Sequence, residues 1–65
     1  MKNIEIFDKI FMEVGAKYNL TAWYEIFDSE VFEEVVAEIC KYFNTTTPDQ
    51  IIDFNDWYNE MYWEL

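Results

Sequence analysis

The chain of 65 residues carries 14 acidic side chains against four lysines, with no arginine and no histidine, for a formal net charge of −10. Binding to nucleic acid or to an anionic membrane requires Lys and Arg to neutralise phosphates, so we expect neither as a direct ligand. Histidine is the commonest general acid and base, and arginine is the usual phosphate clamp, so their absence also argues against an enzyme.

Aromatic residues make up 22% of the chain and hydrophobic residues 52%, whereas glycine and proline occur once each. Acidic disordered segments are poor in aromatic residues, so this composition predicts a folded domain with a small core. Cys40 has no second cysteine with which to form a disulfide or a zinc site. No basic and apolar leader opens the sequence, and no apolar run approaches the roughly 18 residues of a membrane span. We therefore expect a soluble cytoplasmic protein, in a bacterial host if a phage encodes it.

Hydrophobic periodicity predicts an all-α fold, a small three- or four-helix bundle that forms a single domain over residues 1–65. The first helix is predicted at about residues 3–18. Its apolar stripe consists of Ile4, Phe7, Phe11, Val14 and Tyr18. Residues 21–27 are compatible with a strand or with a short helix, either separate from the next helix or continuous with it. The absence of Asn-Gly or Asp-Gly turns favours the helix.

Two further helices are predicted at residues 29–43 and 48–64. The first of these begins at Asp28 or Ser29, either of which can cap the backbone N–H groups. Its apolar stripe contains Cys40, which we interpret as a small buried hydrophobic residue. The last helix opens with Thr47 as N-cap, a proline at the first helical position, and Gln50 completing a capping box. Its apolar face consists of Ile51, Phe54, Trp57, Tyr58, Met61, Tyr62 and Leu65.

The acidic residues of the last two predicted helices fall into rows at helical spacing. One row consists of Glu30, Glu34 and Glu38, and the other consists of Asp49, Asp53, Asp56, Glu60 and Glu64. The predicted helix that carries the longer row contains no lysine, so the like charges of this row are not relieved by ion pairs within the helix. The rows either cover solvent faces and keep an aromatic-rich protein soluble, or imitate the phosphates of a nucleic acid. Carboxylates with about 6 Å of helical rise approximate every second phosphate of a strand that advances about 3.4 Å per phosphate.

Aromatic residues beside these carboxylates suggest a second contribution to binding. Ile52 and Trp63 project from the flank of the last helix, Tyr42 lies at the edge of the preceding apolar stripe, and the adjacent Trp23 and Tyr24 cannot both point inward. The rings either fill a core that has few aliphatic residues or anchor a cationic partner, because Trp and Tyr are enriched in binding hot spots and stack on Arg or Lys. The candidate anchors are Trp23, Trp57, Tyr62 and Trp63.

No catalytic, cofactor or metal site is predicted. A pair such as Glu33 and Glu34 could act as acid and base only inside an enclosed pocket, for which a chain of this length has little room. The stretch from Asp53 to Glu64 resembles a calcium loop superficially, but Trp57 stands where a ligand is needed and Tyr58 stands where a glycine is needed.

The leading functional hypothesis is a small inhibitor that binds and blocks the basic nucleic-acid-binding surface of another protein. Phage anti-CRISPR and anti-restriction proteins include acidic DNA mimics of this size and charge, although no family motif in this sequence supports the analogy. A second hypothesis is a helical homodimer or assembly subunit whose excess aromatic residues are buried at an interface. A third is an immunity or antitoxin protein that neutralises a basic toxin.

Overall fold

The computed structural model describes residues 2–63, and the side chains of all of these except residues 23, 62 and 63. Within residues 2–63, four α-helices follow one another: α1 (Asn3–Lys17), α2 (Trp23–Phe27), α3 (Val31–Tyr42) and α4 (Phe54–Trp63). A 3-10 turn at Pro48–Gln50 precedes α4. No strand occurs among the described residues. The predicted all-α bundle is therefore confirmed, and residues 21–27 contain the short helix.

The helix α1 lies at the centre of the bundle and packs against both α3 and α4, while α2 packs against α3. Phe7 on α1 is completely buried, and its ring centroid lies 5.6 Å from that of Phe43, 5.6 Å from that of Phe54 and 5.3 Å from that of Trp57. Phe11, one turn further along α1, contacts Trp57 and the Phe27 ring of α2. Aromatic rings therefore do fill this core, because each buries more apolar area than an aliphatic side chain.

Asparagine ends two of the helices. Asn19 after α1 and Asn44 after α3 have φ values of 60° and 56°, in the left-handed region that Asn tolerates better than most residues. Beyond each asparagine the chain folds back: the Leu20 N–H donates to the Gly15 carbonyl at 2.8 Å, and the Thr45 N–H donates to the Cys40 carbonyl at 3.0 Å. These are Schellman motifs, which satisfy carbonyls that would otherwise lack a partner at the helix end.

Gly15 allows α2 to approach the last turn of α1. A Cβ atom at this position would lie 2.6 Å from Cδ1 of Ile26 and 3.2 Å from the Leu20 carbonyl oxygen. Because Ile26 is only 3% exposed, its side chain has little room to move away. The single glycine of the chain therefore serves helix packing rather than a turn.

The prediction of one continuous helix over residues 48–64 is wrong. After the 3-10 turn, Ile51 adopts an extended conformation with ψ 124°, and Asp53 has φ 71°, so the helical path is interrupted before α4 begins at Phe54. Aspartate is unfavourable inside a helix but favourable at its start, where its charge complements the helix dipole. The Asp53 carbonyl accepts the Trp57 N–H at 2.9 Å, so a second helix start at Asp53 replaces propagation from Pro48.

The predicted caps also differ in detail from those in the structure. Thr47 precedes the 3-10 turn but makes no side-chain capping bond, and the predicted box with Gln50 does not form. The Thr45 hydroxyl instead donates to Oε1 of Gln50 at 2.7 Å. At α3 the N-cap residue is Glu30, although the Ser29 hydroxyl still accepts the Val31 N–H at 3.3 Å.

Candidate binding surfaces

The first candidate surface is a shallow groove between α1 and α3, which we call the α1–α3 groove. Its polar lining consists of Glu13, Lys17, Glu34 and Glu38, with Ile10 and Val14 beneath them. Three carboxylates and one lysine therefore line the same groove. Glu34 and Glu38 belong to one of the predicted acidic rows, whereas Glu13 lies on a different helix and in neither row. Only the packing of α1 on α3 brings the three together.

Glu34 is the best connected carboxylate of this groove. Lys17 Nζ lies 3.2 Å from its Oε2 atom, and the Tyr18 hydroxyl donates to its Oε1 atom at 2.8 Å. The hydrogen bonds from Tyr18 and Lys17 lower the pKa of Glu34, and the same contacts raise the pKa values of Lys17 and Tyr18. Glu34 was predicted as a partner-binding residue, but its two oxygens already hold the end of α1 against α3.

The second candidate surface is an apolar groove along α1, open between α2 and α4, which we call the methionine groove. It consists of two adjoining depressions of about 420 and 210 Å³ that share Phe11 and Met12. Met12 is 67% exposed and Ile4 is 40% exposed, so apolar surface remains in contact with solvent. The carboxylates of Asp8 and Glu60 lie in the smaller depression.

Trp57 was predicted as a partner-binding aromatic residue, and the structure contradicts this. Its side chain is 2% exposed and contacts Phe7, Phe11 and Phe54. Its indole Nε1–H donates to Oδ1 of Asp8 at 2.7 Å, which satisfies the only polar atom of the ring. Trp57 is therefore a core residue that joins α4 to α1.

The long acidic row is divided by the break before α4. Asp49 lies on the 3-10 turn and Asp53 in the following turn, whereas Asp56 and Glu60 remain one helical turn apart on α4. All four are exposed, but they do not share one helix face. Glu64 lies outside the described residues. In the shorter row, Glu30 and Glu38 are exposed at the N-cap and near the end of α3.

The remaining residues that were predicted to be exposed apolar or aromatic contacts fall into two groups. The side chains of Trp23, Tyr62 and Trp63 lie outside the described part of the structure, so these anchors stay predictions. Tyr42 and Ile52 are 63% and 76% exposed, which confirms the exposure expected of both, but Ile52 lies in the turn before α4 and not on the flank of a helix. Exposed rings are therefore available at Tyr42 on α3 and at Tyr24 on α2, which is 57% exposed.

Sequence reasoning missed Asp8 and Met12, which together with Ile4 define one side of the methionine groove. The signal was present, because Ile4, Asp8 and Met12 are spaced four residues apart and fall on one line of α1. Ile4 belongs to the predicted apolar stripe, and Asp8 and Met12 lie beside it. An apolar residue beside the stripe, here Met12, indicates that the apolar face of the helix is wider than the core requires and that part of it forms a surface groove.

Neither a metal centre nor a membrane span is found in the described part of the chain. Over residues 2–63, no group of three or more His, Cys, Asp or Glu side chains is arranged to hold a metal ion. No described helix combines the length and the apolar character needed to cross a bilayer. Cys40 is buried at 8% exposure, which confirms its predicted place in the core.

Comparisons with models of known protein families, with curated proteins and with solved structures yield no match. Function is therefore inferred from the fold and the two surfaces.

Proposed function

We propose that the protein is a small acidic inhibitor that binds and blocks the basic nucleic-acid-binding surface of another protein. In this role it belongs with DNA- or RNA-mimicking counter-defence proteins, such as the anti-CRISPR and anti-restriction proteins of phages. The partner is a basic effector protein. Nucleic acid itself is the competitor and not a ligand of this chain.

The main support for the proposal is the state of the carboxylates. None of the described acidic side chains is buried, and a single ion pair, Lys17 with Glu34, occurs among the described residues. Most of the net charge of −10 is therefore left at the surface without an internal counterion. An uncompensated field of one sign accelerates association with an oppositely charged partner and weakens with salt.

The spacing of the acids permits phosphate imitation only over short stretches. Asp56 and Glu60 on α4 are separated by about 6 Å of helical rise, close to twice the advance per phosphate of a DNA strand. The break before α4 removes the continuous row of five carboxylates. A basic groove would therefore contact several short acidic stretches on different elements of the bundle.

Competition provides the direct test. The tagged protein is used to capture proteins from a bacterial lysate, the column is eluted with a salt gradient, and each recovered protein is tested for binding to fluorescent DNA and RNA. We expect the recovered partner to lose its nucleic acid as this protein is added, with the inhibition weakening steeply between low and high salt. Elution that is indifferent to salt, or a partner that keeps its nucleic acid, would overturn the proposal. A toxin as the recovered partner would instead support an immunity or antitoxin role.

Matched neutralisations identify the contacting face. Asp56→Asn with Glu60→Gln changes α4, and Glu30→Gln with Glu38→Gln changes α3, and each pair removes the same amount of charge. All four residues are exposed. If one face is the contact, we expect its pair to weaken inhibition about tenfold more than the other, because charges in contact are less screened than distant ones. Equal effects would mean that inhibition depends on the electrostatic field of the whole molecule and not on direct contact with one of these two faces.

Self-association is a second candidate function, favoured by the exposure of Met12, Tyr42 and Ile52. A small core makes burial of such residues in a dimer useful for stability. Repulsion between two chains of net charge −10 opposes it, and salt screens that repulsion. Sedimentation at micromolar concentration, at low and high salt, distinguishes a strict monomer from a dimer that forms as salt rises.

A further inference from the structure

We propose that the methionine groove is the docking site for a basic amphipathic segment of the partner, most simply a helix with an apolar face flanked by Lys or Arg. This inference rests on the proposed function and adds to it a short-range, apolar contact at a defined place. The groove lies along α1, between α2 and α4, with Met12 at its centre.

The apolar part of the groove suits aliphatic side chains. The larger depression is lined by Phe11, Met12, Ala16, Asn19, Leu20, Thr21 and Ile26. Its volume of about 420 Å³ falls within the range of about 300–1,000 Å³ that is typical of ligand pockets. Methionine is flexible and polarisable, so an exposed Met12 can adapt its side chain to different apolar partners. A helix laid into such a groove inserts residues at spacings of three and four.

The charged part of the groove determines the occupant. Asp8 and Glu60 lie in the smaller depression beside Ile4, Met12 and Met61. Asp8 uses Oδ1 to accept the indole N–H of Trp57, and no contact to its Oδ2 atom is found among the described residues. One carboxylate oxygen fixed by the core and another directed away from that bond make a preorganised acceptor for a cationic side chain. Lys or Arg next to an apolar anchor satisfies both parts of the groove.

The same charges disfavour a second copy of this chain as the occupant. A symmetric dimer through the groove would bring Asp8 and Glu60 of one copy towards those of the other, and each chain carries a net charge of −10. Like charges brought together at an interface oppose association. A basic partner meets attraction over the whole approach, so charge complementarity selects it over self-association.

The test uses two synthetic 14-residue peptides of equal positive charge. One has leucines at spacings of three and four residues, so that they share one helix face, and lysines on the flanks of that face. The other has serine in place of each leucine. The wild type is compared with Met12→Gln, and with Ile52→Gln as a matched control. Both substitutions remove an exposed apolar side chain without changing charge, and Ile52 is 76% exposed outside the groove.

We expect the leucine peptide to bind wild type about tenfold more tightly than the serine peptide, since burying one or two apolar side chains accounts for such a factor. Met12→Gln should remove most of that advantage and leave serine-peptide binding unchanged, whereas Ile52→Gln should affect neither. In wild type labelled at the methionine methyl groups, the leucine peptide should shift the signals of Met12 and Met61. This second measurement is independent of how the variants fold.

Two results would overturn the inference: equal binding of the leucine peptide to wild type and Met12→Gln, or a Met12→Gln effect that is seen only as a loss of dimer in sedimentation. Failure of the proposed function has a different signature. In that case the serine peptide would show no salt-sensitive binding, whatever residue occupies position 12. The charge contribution and the groove contribution are therefore tested separately.

Discussion

The helix α1 is joined to its two main neighbours by different chemistry. On the α4 side, the joining group is Trp57, which is 2% exposed and donates its single N–H to Asp8 across 49 positions of sequence. On the α3 side, the buried Val35 and Ile39 belong to the same core, and the polar contact is made by Glu34, which accepts from Lys17 and Tyr18 near the surface. Solvent reaches both carboxylates, but Asp8 accepts from a buried indole, whereas Glu34 accepts from the exposed Lys17 and Tyr18.

This difference shows that the contribution of a carboxylate to stability depends on whether its hydrogen-bond donor is buried. Water can replace the partners of an exposed carboxylate at little cost, whereas a buried N–H that loses its acceptor has no substitute. Both α3 and α4 contribute buried residues to the core, and both leave other carboxylates, such as Glu38 and Glu60, exposed to solvent.

The largest effect is expected from Trp57→Ala, which removes a core ring on the α4 side. Loss of a buried Trp typically costs about 3–5 kcal/mol, enough to unfold a large fraction of a domain this small. Chemical denaturation followed by circular dichroism measures it. The control Ile52→Ala removes an exposed apolar residue and should change the unfolding free energy by about 0.5 kcal/mol or less. Similar results for the two variants would contradict the burial of Trp57.

An intermediate effect is expected from Asp8→Ala. The indole N–H of Trp57 would lose its acceptor, at a cost of about 1–3 kcal/mol for an unsatisfied buried donor. Asp8→Asn keeps an acceptor oxygen at the same place and should be less destabilising. The comparison is made by urea denaturation of the three proteins at one pH. If Asp8→Ala is as stable as wild type, then water satisfies the indole N–H of Trp57, and solvent reaches the contact between α1 and α4.

The smallest effect is expected from Glu34→Gln on the α3 side, and it depends on pH. The pKa of Glu34 is lowered in the folded protein, so the unfolded state binds more protons in acid. The contribution is therefore present above the usual carboxyl range and is lost as pH falls through the lowered pKa. The stability difference between wild type and Glu34→Gln should shrink between pH 6 and about pH 3.

Glu33→Gln provides the matched control for this pH experiment, since Glu33 is the neighbouring exposed carboxylate of α3. Its difference from wild type should not follow the titration of Glu34. An acid dependence equal for both variants would contradict a specific role of Glu34.

At the alkaline end, the raised pKa values of Lys17 and Tyr18 predict the opposite dependence. The stabilising contribution of these two residues is present below their usual pKa range and is lost as pH rises through the raised values.

Much of the fold could be predicted from local patterns. Helical spacing of apolar residues located α1 and α3, because such periodicity depends on neighbours within a few turns. The absence of hairpin turn residues favoured the short α2 over a strand. The missed break at Asp53 arose from two competing helix starts, at Thr47 and Asp53, each with favourable residues. Local rules rank both starts highly, and the choice between them depends on how Ile51 and Phe54 reach the core.

The candidate surfaces were less predictable because they are made by contacts distant in sequence. The pattern on α4 placed Trp57 on an apolar face, yet could not decide between a core residue and a binding anchor. The gathering of Glu13 with Glu34 and Glu38 depends on the packing of α1 against α3.

The sequence alone determined the helical class, the places of most helix ends and the strongly negative surface, because these follow from composition and from residues a few positions apart. The tertiary structure alone decided which carboxylates are occupied by internal donors and which remain available. It also opened an apolar groove beside Asp8 and Glu60. The physical reason is that burial and charge neutralisation depend on distances in space, and here the decisive partners stand 17 and 49 positions apart.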